Sequence, residues 1–123
     1  MRRGPVRFIY HIATAADWAQ AQAAGQYTTS TLGRTLGEEG FIHASTAEQV
    51  APVANMFYQG RPDLVLLVLD PGRVQPEIRL EPVPGSDEPF PHIYGPLNTD
   101  AVVQTRRLEP DAEGRFCFAA ELD

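Results

Sequence analysis

The sequence holds three histidines, and each stands in a short apolar or aromatic run. His11 lies in Ile9-Tyr10-His11-Ile12, His43 in Phe41-Ile42-His43-Ala44, and His92 in Phe90-Pro91-His92-Ile93-Tyr94. Each run reads as the end of a strand that gives way to a loop or a helix N-terminus, where rigid elements present functional groups. Imidazole titrates near neutral pH, so it serves as acid, base, ligand or hydrogen-bond partner. One histidine on an apolar strand is ordinarily a hydrogen-bonded core residue. Three in the same setting point to a shared pocket for a small-molecule ligand. A three-histidine metal site is not expected, because no His-x-His or His-x-x-x-His pair holds two rings on one face.

Other groups stand near these motifs. Glu81 and Asp70 end strand-like runs, where a carboxylate orients an imidazole or stabilises positive charge; the plainer reading is a solvated strand end. Arg34, in a Gly/Thr-rich segment, is a candidate anion contact or simply an exposed loop arginine. The helix expected after His43 offers N-terminal amides to an anion beside the Ser45 hydroxyl. Cys117, between Phe116 and Phe118, reads as an inert core thiol. The sequence contains no nucleophile elbow, Walker loop, GxGxxG loop or CxxC pair.

The elements that must position these residues follow from pattern. Residues 6–12 alternate as a strand. Thr14 is placed to cap a helix that Gly25 stops. Residues 26–40 carry no sustained period and read as a long loop with one helical turn, of the kind that is often functional. A short strand at 41–43 leads into a capping box, Ser45 with Glu48, and a helix with Val50, Val53, Ala54 and Phe57 on one face. Pro52 should kink or break that helix, which ends by Gly60. Residues 63–70 form a continuous apolar run suited to a central strand covered on both faces. Strands are expected at 78–81, 92–94, 102–108 and 115–119, with a proline-rich loop at 82–91. The sum is one α+β domain, residues 1–123, with a small split sheet, antiparallel or mixed, and two main helices.

Composition narrows the function classes. The 123 residues are 43% hydrophobic and 21% charged, which suits a packed core. Ten cationic residues, all arginine, face sixteen acidic ones for a net charge of -6. That balance argues against bulk nucleic-acid binding, which rests on clustered cations. A single cysteine rules out an internal disulfide. No apolar run nears the ~20 residues of a membrane span, and the N-terminus lacks a signal-peptide pattern. A cytoplasmic protein is the expectation.

Taken together, Ile9-Tyr10-His11-Ile12, Trp18, Gly25-Gln26-Tyr27, Glu39 through Ser45, Gln49, Ala54-Asn55, Phe57-Tyr58, Gly60, Asp63 through Leu67, Arg79, Glu81 and Phe90 through Leu97 resemble the bacterial family called domain of unknown function 952. The likeness runs from residue 8 to about 108. Two positions depart from it: Ala44 stands where the family often has Cys, and Leu80 where it often has an aromatic. The resemblance implies an ADP-ribosyltransferase-like fold, on the side of the RNA 2′-phosphotransferases, and NAD as a cofactor. His11 and His43 match the two histidines of that group in order and context. On an NAD reading the expected cofactor site is His11, Ile12, Arg34, His43 and Ser45, with His11, His43, His92, Tyr94 and Glu81 in the chemistry. The usual glutamate is absent from the His92–Tyr94 run, so Glu81 substitutes only if the fold brings it in; cleaving the nicotinamide bond calls for such a carboxylate.

Three readings follow. The chain is an NAD-using transferase or hydrolase, or a different small-molecule enzyme with a His43/His92 acid–base pair, or a non-catalytic binding module whose histidines order its loops.

Overall fold

The computed structural model describes residues 8–31 and 33–118. In chain order the elements are β1 (Ile9–Thr14), α1 (Ala15–Ala24), β2 (Gln26–Tyr27), β3 (Thr29–Thr31), β4 (Arg34–Thr35), α2 (Leu36–Glu39), β5 (Ile42–His43), α3 (Ala47–Phe57), β6 (Leu64–Leu69), β7 (Glu77–Glu81), β8 (Phe90–Tyr94), β9 (Leu97–Asn98), a 3₁₀ turn (Thr99–Ala101) and β10 (Val102–Leu108). The first and last expected strands reach Val6, Arg7 and Ala119, which lie outside the described residues.

The fold is α+β, with small antiparallel sheets and three helices, the third being the single turn α2. Every strand pairing among the described residues is antiparallel, so the mixed alternative is not realised. β6 runs between β1 and β10. Its alternate residues enter two cores: Leu67 and Leu69 meet Ile9, Ala13, Ile42 and Ile93, while Leu64, Leu66 and Val68 meet Ile12, Val50, Ala54 and Phe116. This double coverage is why the segment is apolar throughout. Each fully buried leucine here contributes about 1.5–3 kcal/mol.

The caps of α1 are as the sequence indicates. Thr14 Oγ1 accepts the Asp17 amide at 3.1 Å, and Gly25 sits at φ 84°, a left-handed turn that favours glycine. The start of α3 differs by one residue. Ser45 does not cap it: its backbone exchanges hydrogen bonds with Tyr10, 2.8 and 2.7 Å, stapling β1 to the chain after β5. The helix therefore begins one step later, where Gln49 Oε1 accepts the Thr46 amide at 2.9 Å. α3 also continues through Pro52, leaving the Glu48 carbonyl without its i+4 amide. Phe57 is not part of the core; it and Met56 are 65% and 74% exposed.

Residues 26–40 are more ordered than a loop. β2 pairs with β9 and β3 with β4, and the expected helical turn is α2. At the other end, residues 115–118 are not a strand. The Asn55 side chain substitutes for one, accepting the Phe116 amide at 2.7 Å and donating to its carbonyl at 2.9 Å. Cys117 is exposed rather than core.

Candidate functional site

The site is built on the sheet ordered β5-β8-β7. Antiparallel register sets His43 opposite His92, Arg79 opposite His92 from the other side, and Glu81 opposite Phe90. Directly opposed residues share a face, and side chains alternate along a strand. One face thus carries His43, His92, Tyr94, Arg79 and Glu81, while Ile42 and Ile93 turn into the core. Phe41 precedes β5 and lies on the His92 ring, centroids 4.0 Å apart and nearly parallel.

His92 and Glu81 form a buried-base dyad. His92 is 3% exposed, and its Nδ1–H donates to Glu81 Oε1 at 2.7 Å. The Tyr94 hydroxyl donates to the same oxygen at 2.5 Å. These two hydrogen bonds, that from Tyr94 foremost, hold the Glu81 carboxyl below the usual carboxylate range, and the shared contact pushes Tyr94 up. With Nδ1 donating to the carboxylate, the neutral form of the His92 ring carries its lone pair on Nε2. That Nε2 is buried and has no hydrogen-bond partner among the described residues. A buried polar atom left so costs about 1–3 kcal/mol, which a fold tolerates where the atom has work to do.

His43 stands edge-on to His92 with ring centroids 5.4 Å apart. Its side chain is 41% exposed, and its Nε2–H makes a long 3.4 Å contact to Glu39 Oε1. Burial first, then the nearby His92, lower its pKa, while Glu39 works the other way.

His11 is differently placed. It is 3% exposed, with Nδ1–H donating to the His43 carbonyl at 2.5 Å and Nε2 accepting from the Tyr27 hydroxyl at 2.9 Å. A carbonyl only accepts, which fixes this tautomer. Burial lowers the ring to about 4 and pushes the Tyr27 hydroxyl up. Both nitrogens of His11 are engaged within the protein, and the ring ties β1 and β2 to the backbone at His43.

A cleft of about 1080 Å³ opens over this face. His11, Ile12, His43, Ser45, Glu81 and His92 all line it, with Phe41 beside the rings. One wall is α3, through Val53, Met56 and Phe57; the other is the proline-rich segment Pro82 to Ser86 and Phe90. Among the described residues, Glu81 is the one Asp, Glu or Arg in that lining. Tyr94 stands one step behind, acting on Glu81. Arg34 lies outside: it pairs with Glu39 Oε2 at 2.7 Å, so it reaches the site only through Glu39 and His43. Asp70 is also remote, accepting the Gly72 amide in a turn. Among the described residues no group of three or more His, Cys, Asp or Glu could hold a metal ion.

Sequence reasoning gave no role to Phe41, Glu39 or Tyr27, although all three stand in the motif segments. Strand alternation of Phe41 against His43 was the one available signal; the partners of Glu39 and Tyr27 depend on tertiary pairing. The exposure of Met56 and Phe57 at the cleft mouth had no signal at all.

Fold and site define an α+β domain whose cleft rests on a histidine–carboxylate pair backed by a tyrosine. The model of the family described as protein of unknown function (DUF952) matches residues 12–105, and the chain belongs to that family. It is similar to the crystal structure of protein CC0527 from Caulobacter crescentus, at 32% identity and a TM-score of 0.79, over 89% of this chain and 93% of that one. The solution NMR structure of the same protein matches at 32% identity and a TM-score of 0.74, over 88% and 90%. No curated protein matches. Among the described residues no helix is long and apolar enough to cross a membrane.

Proposed function

We propose that the cleft is the active site of a small-molecule enzyme in which His92, held by Glu81, is the general base and His43 its acid–base partner. The observation that carries this is the 2.7 Å Glu81–His92 contact on a ring whose other nitrogen is buried and unpartnered. Glu81 fixes the tautomer and stabilises the imidazolium that forms when Nε2 takes a proton from a substrate O–H or N–H, or from water. Tyr94 holds Glu81 in place. The proton then returns to a leaving group, from His92 directly or through His43. Burial and the nearby His92 favour the neutral form of His43, the form able to receive it.

The test is a metabolite mixture incubated with the wild type, His92→Gln and Glu81→Gln, followed by mass spectrometry. A compound consumed by the wild type and spared about 10²-fold or more by His92→Gln identifies the reaction. Equal consumption by all three proteins refutes the assignment.

A second reading, an ADP-ribosyltransferase-like enzyme using NAD, has one observation in its favour: Glu81 lines the cleft beside His43, supplying the carboxylate that glycosidic cleavage calls for. Against it, both nitrogens of His11 are engaged internally, and no described arginine lines the cleft to meet a diphosphate. Calorimetric titration with NAD, ADP-ribose and nicotinamide decides it. Binding of NAD that Glu81→Gln abolishes favours this reading, and no heat with any of the three removes it.

A further inference from the structure

The chemistry of the cleft lining also restricts what can bind. Glu81 accepts both of its hydrogen bonds, from His92 and from Tyr94, on Oε1. Among the described residues its Oε2 has no hydrogen-bond donor, and its side chain is 31% exposed. His92 Nε2, an acceptor in the neutral ring, is buried and has no hydrogen-bond partner among the described residues. His43, with its proton directed at Glu39, presents Nδ1 as a third. Among the described residues no arginine lines the cleft, and the permanent charge in the lining is the Glu81 carboxylate; Arg79, on the same sheet face, lies over the Tyr94 ring and pairs with Glu77 Oε1 at 3.0 Å. An anion would meet a like charge in a site of reduced dielectric. A hydrogen-bond donor would meet acceptors on the part-exposed side chains of Glu81 and His43.

The walls select in a second way. Val53, Met56, Phe57, Pro82, Val83 and Phe90 are apolar, and Met56 and Phe57 stay largely exposed at the mouth. Exposed side chains of this size gain by covering a flat apolar group. Aromatic faces near a carboxylate also favour a cation over an anion.

We infer that the ligand is a neutral or cationic molecule that presents N–H or O–H donors to Glu81 and the histidines while an aromatic or other flat apolar part lies against the α3 wall. This rests on the reading above for the location of the site and not for the proton transfer.

The test uses three probes of one shape in separate titrations of the full chain at pH 7: phenethylamine (cation), phenylacetamide (neutral donor) and phenylacetate (anion). Binding is read from shifts of the Met56 methyl and neighbouring cleft signals by NMR. The expected order is phenethylamine and phenylacetamide tighter than phenylacetate by about tenfold or more. Glu81→Gln should erase the advantage of the cation, and Phe57→Ala, at an exposed position, should weaken all three alike without disturbing the fold. Phenylacetate binding as well as the others overturns the inference, as does the absence of cleft shifts with any probe up to saturation of solubility. The two proposals separate cleanly. If the charge order holds while His92→Gln still turns substrate over, the base assignment falls and the ligand class stands. If phenylacetate wins while His92→Gln is inert, the reverse is true.

Discussion

Acid should destabilise this protein through His11. The ring is 3% exposed, donates to the His43 carbonyl and accepts from Tyr27, and burial holds it at about 4 against an ordinary 6.5. Protonating Nε2 would remove the Tyr27 bond and place a charge in the core. The folded-state pKa lies below the unfolded one, so the unfolded chain binds the proton more readily. Stability from neutral His11 is therefore complete above pH 6.5 and is lost as the pH falls toward about 4. At 1.36 kcal/mol per unit, the window amounts to roughly 3 kcal/mol, a large part of a typical domain's stability. The assay is urea unfolding of the wild type and His11→Asn at intervals from pH 7.5 to pH 4, monitored by circular dichroism. Asparagine keeps a donor for the His43 carbonyl and cannot titrate. At pH 7 it should cost about 1–3 kcal/mol, for the lost packing and the lost hydrogen bond from the Tyr27 hydroxyl. The advantage of the wild type should then fall by roughly 3 kcal/mol on acidification, so that it closes or reverses near pH 4. His43 and the carboxylates titrate in both proteins and so cancel. A gap that stays constant across the window would refute the placement of His11 as a buried neutral strut.

Two more outcomes follow from the same contacts. Tyr94→Phe removes the donor at 2.5 Å from Glu81, so the carboxyl pKa should rise toward its ordinary value, measurable by ¹³C NMR titration. Turnover of any substrate found should fall about tenfold, with the loss in kcat rather than KM, since Tyr94 acts through Glu81. Asn55→Ala breaks both bonds to the buried Phe116 backbone and should cost about 1–3 kcal/mol by urea unfolding, with the change concentrated in hydrogen exchange of residues 114–118. An unchanged exchange pattern there would show that the asparagine does not hold the segment.

The residues themselves settled those features that rest on nearest neighbours and on periodicity. Thr14 with Asp17, and Gly25, mark the ends of α1 because a cap is a local exchange between a side chain and orphan amides. The apolar run of β6 announces a strand covered on both faces, because only burial on both sides explains the lack of alternation. The three histidine motifs are legible as site candidates for the same reason, and all three rings do line one cleft. What the chain alone left open are the pairings between distant segments. The Tyr10–Ser45 bridge moves the start of α3 by one residue, and Asn55 replaces an expected strand with a side-chain clamp. Residues 26–27 become a strand only because Leu97–Asn98 lie beside them. Most of all, tertiary structure gave three similar imidazoles different circumstances. His11 has both nitrogens held, His43 is half exposed beside Glu39, and His92 carries a buried lone pair against Glu81. Burial and hydrogen-bond partners set what an imidazole can do, and both are properties of the assembled fold rather than of the residues on either side of it.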